Sequence, residues 1–449
     1  ITEQQEHDFN IYRMTVADQV LLDPNITQLR TVSYYFGPKT DKDLSIMPKE
    51  LKGSMHYGFF DIGKNHDYED VESGRRRLAK LSEKCYLPAN ALILGLIRKH
   101  RRSFKVSYGI SGLFLEQMRG PYRKVIDSFR RLADTGCVEF LGGTYHHSLA
   151  FLYSKKEFEE QVRLQREVVE DLFGDAPVSF HNAGLIYNDD LAAMVEKMGF
   201  RAVLSEGADR ILEGRSPHFV YRPPKCRRTG LLLRNNRLSD DISFRFSDRT
   251  WSEYPLTAEK YAAWVHRVKE GNAVVNIMVD YETLGERQWE GTGIFEFMKV
   301  LPGEILKNPG FRFSTPGEAV KELKPSGELG VPGFVSWAGE EKDLGAWRGN
   351  HLQRDALKAL YGLSRRVRLR KDGRLTEIWR SLQASDHIEY MGSRWHETGE
   401  VPLFFNPYPS PYDAYINYMN VLTDFSKTLK KRTPGTRKKG RTRRASKAR

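Results

Sequence analysis

The chain has 449 residues, 40% of them hydrophobic and 12% aromatic, enough for one large domain and a smaller one, each with its own core. It contains no apolar run of about eighteen residues, which excludes a membrane-spanning helix, and its opening ITEQQEHDFN lacks the basic and apolar regions of a secretory signal. The net charge of +13 suggests a polyanion until it is located: 12 Lys and Arg and no acid lie between Lys427 and Arg449, leaving the rest of the chain at about +1. Cys85, Cys137 and Cys226 lack metal-ligand spacing and read as reduced, buried thiols of a cytoplasmic protein. No metal and no cofactor are expected.

In chain order, residues 1–56 are weakly patterned, with RTVSYYF (30–36) as a candidate first strand before a polar, basic loop. From 57 to 330, short apolar strands alternate with amphipathic helices. SFKVSYGIS and GCVEFLGG read as strands. YSKKEFEEQVRLQREVVEDLFG is a helix with a capping box at Ser154 and Glu157, an apolar stripe through Phe158, Val162, Val169 and Leu172, and a stop at Gly174. APVSF is a strand, NDDLAAMVEKMGF a helix capped at Asn188 or Asp189, RAVLS a strand, and NAVVNIMVD the strongest strand of all. This βαβα rhythm predicts a parallel sheet covered by helices, most simply a barrel. Residues 331–428 carry helical spacing only, in NHLQRDALKALYGLSRRVRL, LTEIWRSLQASDHIEYM and SPYDAYINYMNVLTDFSKTL, and predict a helical bundle on the barrel. The stretch 429–449 predicts a disordered basic tail suited to polyanions.

Polar clusters mark three strand ends, where barrel enzymes keep their chemistry. VDYETLGERQW places Asp280 at the end of an apolar strand, a setting for a carboxyl of raised pKa and hence a general acid, or for a simple turn cap. GGTYHHSL offers His146 and His147, which as strand neighbours point opposite ways and do not share a metal. FHNAGLIYND offers His181, Asn182, Ala183 and Gly184, with no acid and no nucleophile. Asp240, Asp241, Asp386 and His387 add polar groups. Trp251, Trp289, Trp337 and Trp395 are candidate stacking platforms for sugar rings, or core. Phosphate-binding glycine loops, CxxC pairs and HExxH are absent, which disfavours a nucleotide enzyme or a metalloprotease.

FFDIGKNHDYED, EKCYLPAN, DSFRRLADTGCVEFLGGTYHHSL, LLLRNNRLSDDISFRFS, WSEYPLTAEKY, VDYETLGERQWEGTGIFEFMKVLP and FFNPYPSPYDAYINYMNVLTDF together resemble the bacterial α-amylase branch of glycoside hydrolase family 57. The resemblance runs from Tyr57 to Phe425. It implies an α/β fold, an incomplete (β/α)7 barrel followed by a C-terminal helical bundle, and retaining cleavage or transfer of α-glucan chains without a metal.

Retention requires two carboxyls about 5–5.5 Å apart. By the resemblance, the acid/base aspartate falls on Asp280 and the nucleophilic glutamate on Gly184. The family also carries Thr at Ala183, Glu at Gly143, usually His at Arg287, and a His-Gln-Pro motif that YYFGPKTDK replaces. His147, Asp386 and His387 fall at positions the family uses near the sugar, and Trp289 is added as a substrate-binding candidate. The expectation is a member that binds α-glucan or maltooligosaccharide but is impaired in catalysis, with a vacancy where the Gly184 side chain would stand. Two alternatives stay open. One is an active hydrolase or 4-α-glucanotransferase with a relocated nucleophile, or an inverting enzyme using Glu206 or Asp189. The other is an interaction scaffold acting through its basic tail.

Overall fold

The computed structural model describes residues 57, 59–64, 68, 71–268, 273–393 and 408–430. The candidate first strand, Trp395 and the tail beyond 430 lie outside the described residues.

Five parallel strands follow in chain order: β1 (Val106–Tyr108), β2 (Val138–Phe140), β3 (Ser179–Phe180), β4 (Ala202–Glu206) and β5 (Gly230–Arg234). β1 pairs with β2, and β3 with β4 and β4 with β5; a bridge between Gly142 and Phe180 joins the two groups. A bridge from Arg234 to Asn276 then brings the segment 273–280 alongside β5. This segment differs from its expected role as the strongest strand, since Asn276 is its only bridging residue among those described. Its apolar side chains are instead partly exposed at Ile277 and Val279, where they line a cavity rather than a packed layer. The strand β5 lies in GLLLR, a run that the sequence reading left unassigned.

Helices fill the connections: α1 (Val71–Leu81), α2 (Leu87–Lys99), α3 (Arg123–Ala133), α4 (Lys155–Phe173), α5 (Asp189–Lys197), α6 (Ala258–Val265) and α7 (Ile294–Leu306). α4 begins where expected, because the Ser154 hydroxyl accepts from the Glu157 N–H, and it ends at Gly174 with φ +91°. The reciprocal half of the predicted capping box is not made. The Glu157 carboxylate turns away to accept from Arg380 Nε at 2.9 Å and Gln161 Nε2 at 3.1 Å. Asn188, rather than Asp189, caps α5.

The bundle comprises α8 (Gly345–Arg348), α9 (His351–Gly362), α10 (Ser364–Arg370), α11 (Gly373–Ser381), α12 (Ser385–Glu389) and α13 (Pro411–Lys430). Two of the three predicted helices are each broken in two, at Leu363 and after Ser381. Leu352, Leu357, Leu360, Trp379, Tyr418 and Phe425 form the bundle core, and Ala183 and Ile186 from beyond β3 belong to the same cluster. The bundle therefore packs directly on a strand end. Two polar links reinforce this: Arg380 to Glu157, and Gln161 Nε2 to Gln383 Oε1 at 3.1 Å. Asp424 is fully buried and accepts from Tyr68 Oη at 2.6 Å and from Gly63 N at 2.7 Å. The three cysteines are free and buried.

Candidate active site

The carboxyl ends of the strands open on one cavity of about 2060 Å³, roofed by the bundle. Parallel strands deliver their ends to one side, and short loops there are free to carry polar groups. After β2 the chain passes Gly143 and turns at His147, whose φ of +49° is unusual for a residue with a side chain. After β3 it turns again through Gly184 (φ +58°) and Leu185 (φ +51°), with Leu185 N bonded to Asn182 O and Ile186 N to Ala183 O, both at 3.0 Å. Gly184 O accepts from Trp337 N at 3.0 Å, which ties this turn to the chain leading into the bundle.

His181 is the central polar group of this wall. Its ring fits because Gly109 lacks a side chain: a Cβ there would lie 2.2 Å from His181 Nε2. Burial, and then the neighbouring His147, lower its pKa to about 4, so it is neutral at physiological pH. His147 and His181 both line the cavity. His146 does not; it is a buried core histidine whose pKa burial lowers to about 3.

The expected vacancy at Gly184 does not exist. A Cβ there would lie 2.1 Å from Cη2 and 2.5 Å from Cζ2 of Trp347, a residue of α8 that is 2% exposed. The indole fills the place of the missing side chain. Trp347 was not among the tryptophans that the sequence singled out, and its position in GAWRGN carries no signal relating it to Gly184. Trp337 lines the cavity, whereas Trp289 is not part of its lining and is half exposed.

Asp280 also lines the cavity, with its side chain 45% exposed, and Arg287 Nη2 donates to its Oδ2 at 3.1 Å. It is thus not the isolated carboxyl in an apolar pocket that the sequence pattern suggested. The Arg287 guanidinium also lies 4.8 Å from the centre of the Phe244 ring, a cation–π contact that holds it in place. Asp386 and Glu389 reach the same cavity from α12. His387, on the same helix, sits against the Tyr418 ring; burial lowers its pKa while Asp386 opposes that shift. Glu282 accepts from Tyr86 Oη at 2.6 Å, and burial raises its pKa.

Neither proposed stand-in for the nucleophile occupies the cavity wall. Glu206 has no exposed surface, and Arg234 Nη1 binds its Oε2 at 3.1 Å. The same guanidinium binds Asp240 Oδ1 at 2.5 Å and the Met278 carbonyl at 2.8 Å, so Glu206 is tied into a structural network. Asp189 Oδ1 accepts from Val331 N at 2.9 Å and pins the chain that enters the bundle. Asp241 pairs with Arg245 at 2.6 Å.

The glycosyl hydrolase family 57 model matches residues 55–332, and a Methanocaldococcus jannaschii protein named "Putative alpha-amylase" is 40% identical over 374 residues, covering 81% of this chain and 79% of the relative. The chain belongs to glycosyl hydrolase family 57. Solved structures support the fold. The 4-α-glucanotransferase of Thermococcus litoralis superposes with a TM-score of 0.57 at 15% identity, over 70% of this chain and 53% of that one. The branching enzyme of Pyrococcus horikoshii superposes with a TM-score of 0.59 at 16% identity, over 72% of this chain and 82% of that one. This chain thus spans about half the length of the Thermococcus enzyme. Its fold is the incomplete (β/α)7 barrel of the family. No described helix is long and apolar enough to cross a membrane.

Proposed function

We propose that this family member binds α-glucan chains in the cavity beneath the bundle and has lost the retaining double displacement. The observation that carries the reading is the β3 end. Gly184 has no carboxyl to offer an anomeric carbon, and Trp347 occupies the space into which one would project. Retaining hydrolysis needs a nucleophile about 5–5.5 Å from the acid/base, and Asp280 supplies one partner only. In the best-studied protease, loss of one member of a concerted catalytic unit lowers kcat by about 10⁶-fold.

Glucan binding is supported by what remains. The cavity keeps Asp280, His147, Asp386 and Trp337 in its lining, together with Arg287 and a neutral His181. Carboxylates, imidazoles and aromatic faces are the groups that sugar hydroxyls and their apolar ring faces engage. The inverting reading is not supported, because Glu206 and Asp189 are committed to structural bonds.

The test pairs two measurements on the full chain. Release of reducing ends from soluble starch and maltoheptaose is expected to stay at the uncatalysed background. Electrophoretic mobility in glycogen gels is expected to be retarded. Turnover comparable to an ordinary glycosidase would overturn the lost-catalysis reading. Unretarded migration would overturn glucan binding and favour a scaffold acting elsewhere.

A further inference from the structure

The bundle carries a group of unmatched cations outside the cavity. Six of the ten residues 365–374, where α10 turns into α11, are Arg or Lys, and Asp372 is the one acid among them. Residues 1–426 sum to about +1, so the +5 of this corner leaves the remainder of them at about −4. Ser364 and Val367 form the buried side of α10, while Arg365, Arg366, Arg368, Lys371 and Arg374 are exposed. None of the six cations makes an ion pair among the described residues, and none lines the cavity. Asp372 is engaged as the cap of α11, accepting from Leu375 N at 3.2 Å, and Glu377 pairs with Arg380.

This arrangement runs against local stability. Arg365 and Arg368 stand three residues apart and Arg366 and Arg370 four, so like charges are neighbours on the helix with no acid between them. Arg163 of α4, by contrast, is flanked by Glu160 and Glu167, and Lys307 of α7 is matched by Glu304. Lys371 turns the chain between the two helices at φ +51°, a conformation in which glycine is the unstrained choice. Arg366 Nη1 donates to Ser426 Oγ at 3.4 Å, which sets the corner beside the last turn of α13, where Lys427 and Lys430 stand. Residues 431–449 add ten more Lys and Arg and no acid.

We propose that this corner, continued by Lys427, Lys430 and residues 431–449, is a docking surface for the phosphate backbone of double-helical nucleic acid, bound without regard to base sequence. Charge complementarity argues for a polyanion, since unpaired cations gathered on one face displace the counterions held by a dense row of phosphates. Five of the six corner cations are Arg, whose planar fork meets phosphate oxygens bidentately. Neither 364–374 nor 427–449 contains an aromatic residue on which unpaired bases could stack, which favours a duplex over single strands. A lipid surface fits less well. Leu369 is the one exposed large apolar side chain of the corner, and Leu429 is buried in the bundle core, so a single leucine is left to enter the acyl boundary.

The experiment follows the anisotropy of a labelled DNA duplex of about 20 base pairs, titrated with the full chain between about 50 and 200 mM salt. The logarithm of the binding constant is expected to fall with the logarithm of salt at a slope of about −5 or steeper, at about 0.9 per phosphate engaged by the six corner cations. Arg365→Gln, Arg368→Gln and Arg374→Gln together should make the slope shallower by about 3 and weaken low-salt binding by more than about tenfold, with the urea midpoint unchanged. Arg441→Gln, Arg443→Gln and Arg444→Gln together should also make it shallower. A second measurement needs no variant: bound duplex should protect Lys371 from reductive methylation and leave Lys299 of α7, on the barrel, reactive. No duplex binding at about 50 mM salt, an unaltered slope in the corner variant, or an unprotected Lys371 overturns the docking surface. An unaltered slope in the second variant removes residues 431–449 from it. Tight binding to phosphatidylserine vesicles without binding to the duplex overturns the choice of nucleic acid.

Discussion

Two walls of one cavity differ in kind. The lining beyond β2 and β3 comes from His147, His181, Gly184 and the Trp347 indole, and it carries no carboxyl. The lining from the 273–280 segment and Arg287 carries Asp280, and α12, tied to the His147 turn by Ser385 N donating to His147 O at 3.1 Å, adds Asp386 and Glu389. The first wall is closed by packing: glycines admit a histidine ring on one side and a tryptophan on the other. The second stays polar and open, with Asp280 nearly half exposed. A retaining double displacement needs two carboxyls at close range, whereas binding needs only groups that can hydrogen-bond. Gly184 therefore faces more than an open gap, because the Trp347 indole of the neighbouring bundle takes up the space beside it.

The comparison breaks most visibly at Trp347. Trp347→Ala should destabilise the protein by about 3–5 kcal/mol, the range for truncating a fully buried tryptophan, as read from urea unfolding. A loss below about 1 kcal/mol would mean that the indole does not seal this wall.

Gly184→Glu comes next. It meets Trp347 and sits at positive φ, so about 1–3 kcal/mol for overpacking adds to about 1 kcal/mol for a left-handed side chain. A destabilisation of roughly 2–4 kcal/mol is expected from these terms, with no recovery of starch hydrolysis. Combined with Trp347→Ala, the two losses should fall short of additivity by more than about 0.5 kcal/mol, because the residues compete for one space. Strict additivity, or full amylase activity from Gly184→Glu alone, would remove the steric account.

The smallest effect belongs to the open wall. Arg287→Ala should lower stability by no more than about 1 kcal/mol, since its partner Asp280 is well hydrated. A loss of several kcal/mol would show that the Arg287–Asp280 pair behaves as a buried pair, and the contrast between the walls would weaken.

Much of the scaffold could be read from local pattern. Ser154 and Gly174 bound α4, Asn188 starts α5, and four of the five strands fall in runs expected to be strands, because caps and periodicity are properties of neighbours in sequence. What failed was tertiary in origin. NAVVNIMVD has the composition of a buried strand, but Ile277 and Val279 face a cavity instead of a packed layer. The Glu157 half of the capping box gave way to Arg380, which lies in the bundle. Asp280 was legible as a polar group ending an apolar run, but its pairing with Arg287 was not. Trp347 stands against a glycine 163 positions earlier, and no spacing rule connects the two.

The buried carboxylate of Asp424 has a consequence for the time order of folding. It holds Tyr68 and the Gly63 amide across 356 and 361 residues of sequence, and Asn420 one turn earlier binds the Tyr57 carbonyl across 363. During synthesis the chain emerges from its amino end, so residues 57–68 leave the ribosome long before α13 exists. Strands β1 to β5 can pair while translation continues, but these three bonds cannot form until the last described helix has been made. Contacts of such separation close late and slowly. The segment carrying Tyr57, Gly63 and Tyr68 is thus among the first to be made and among the last to be fastened.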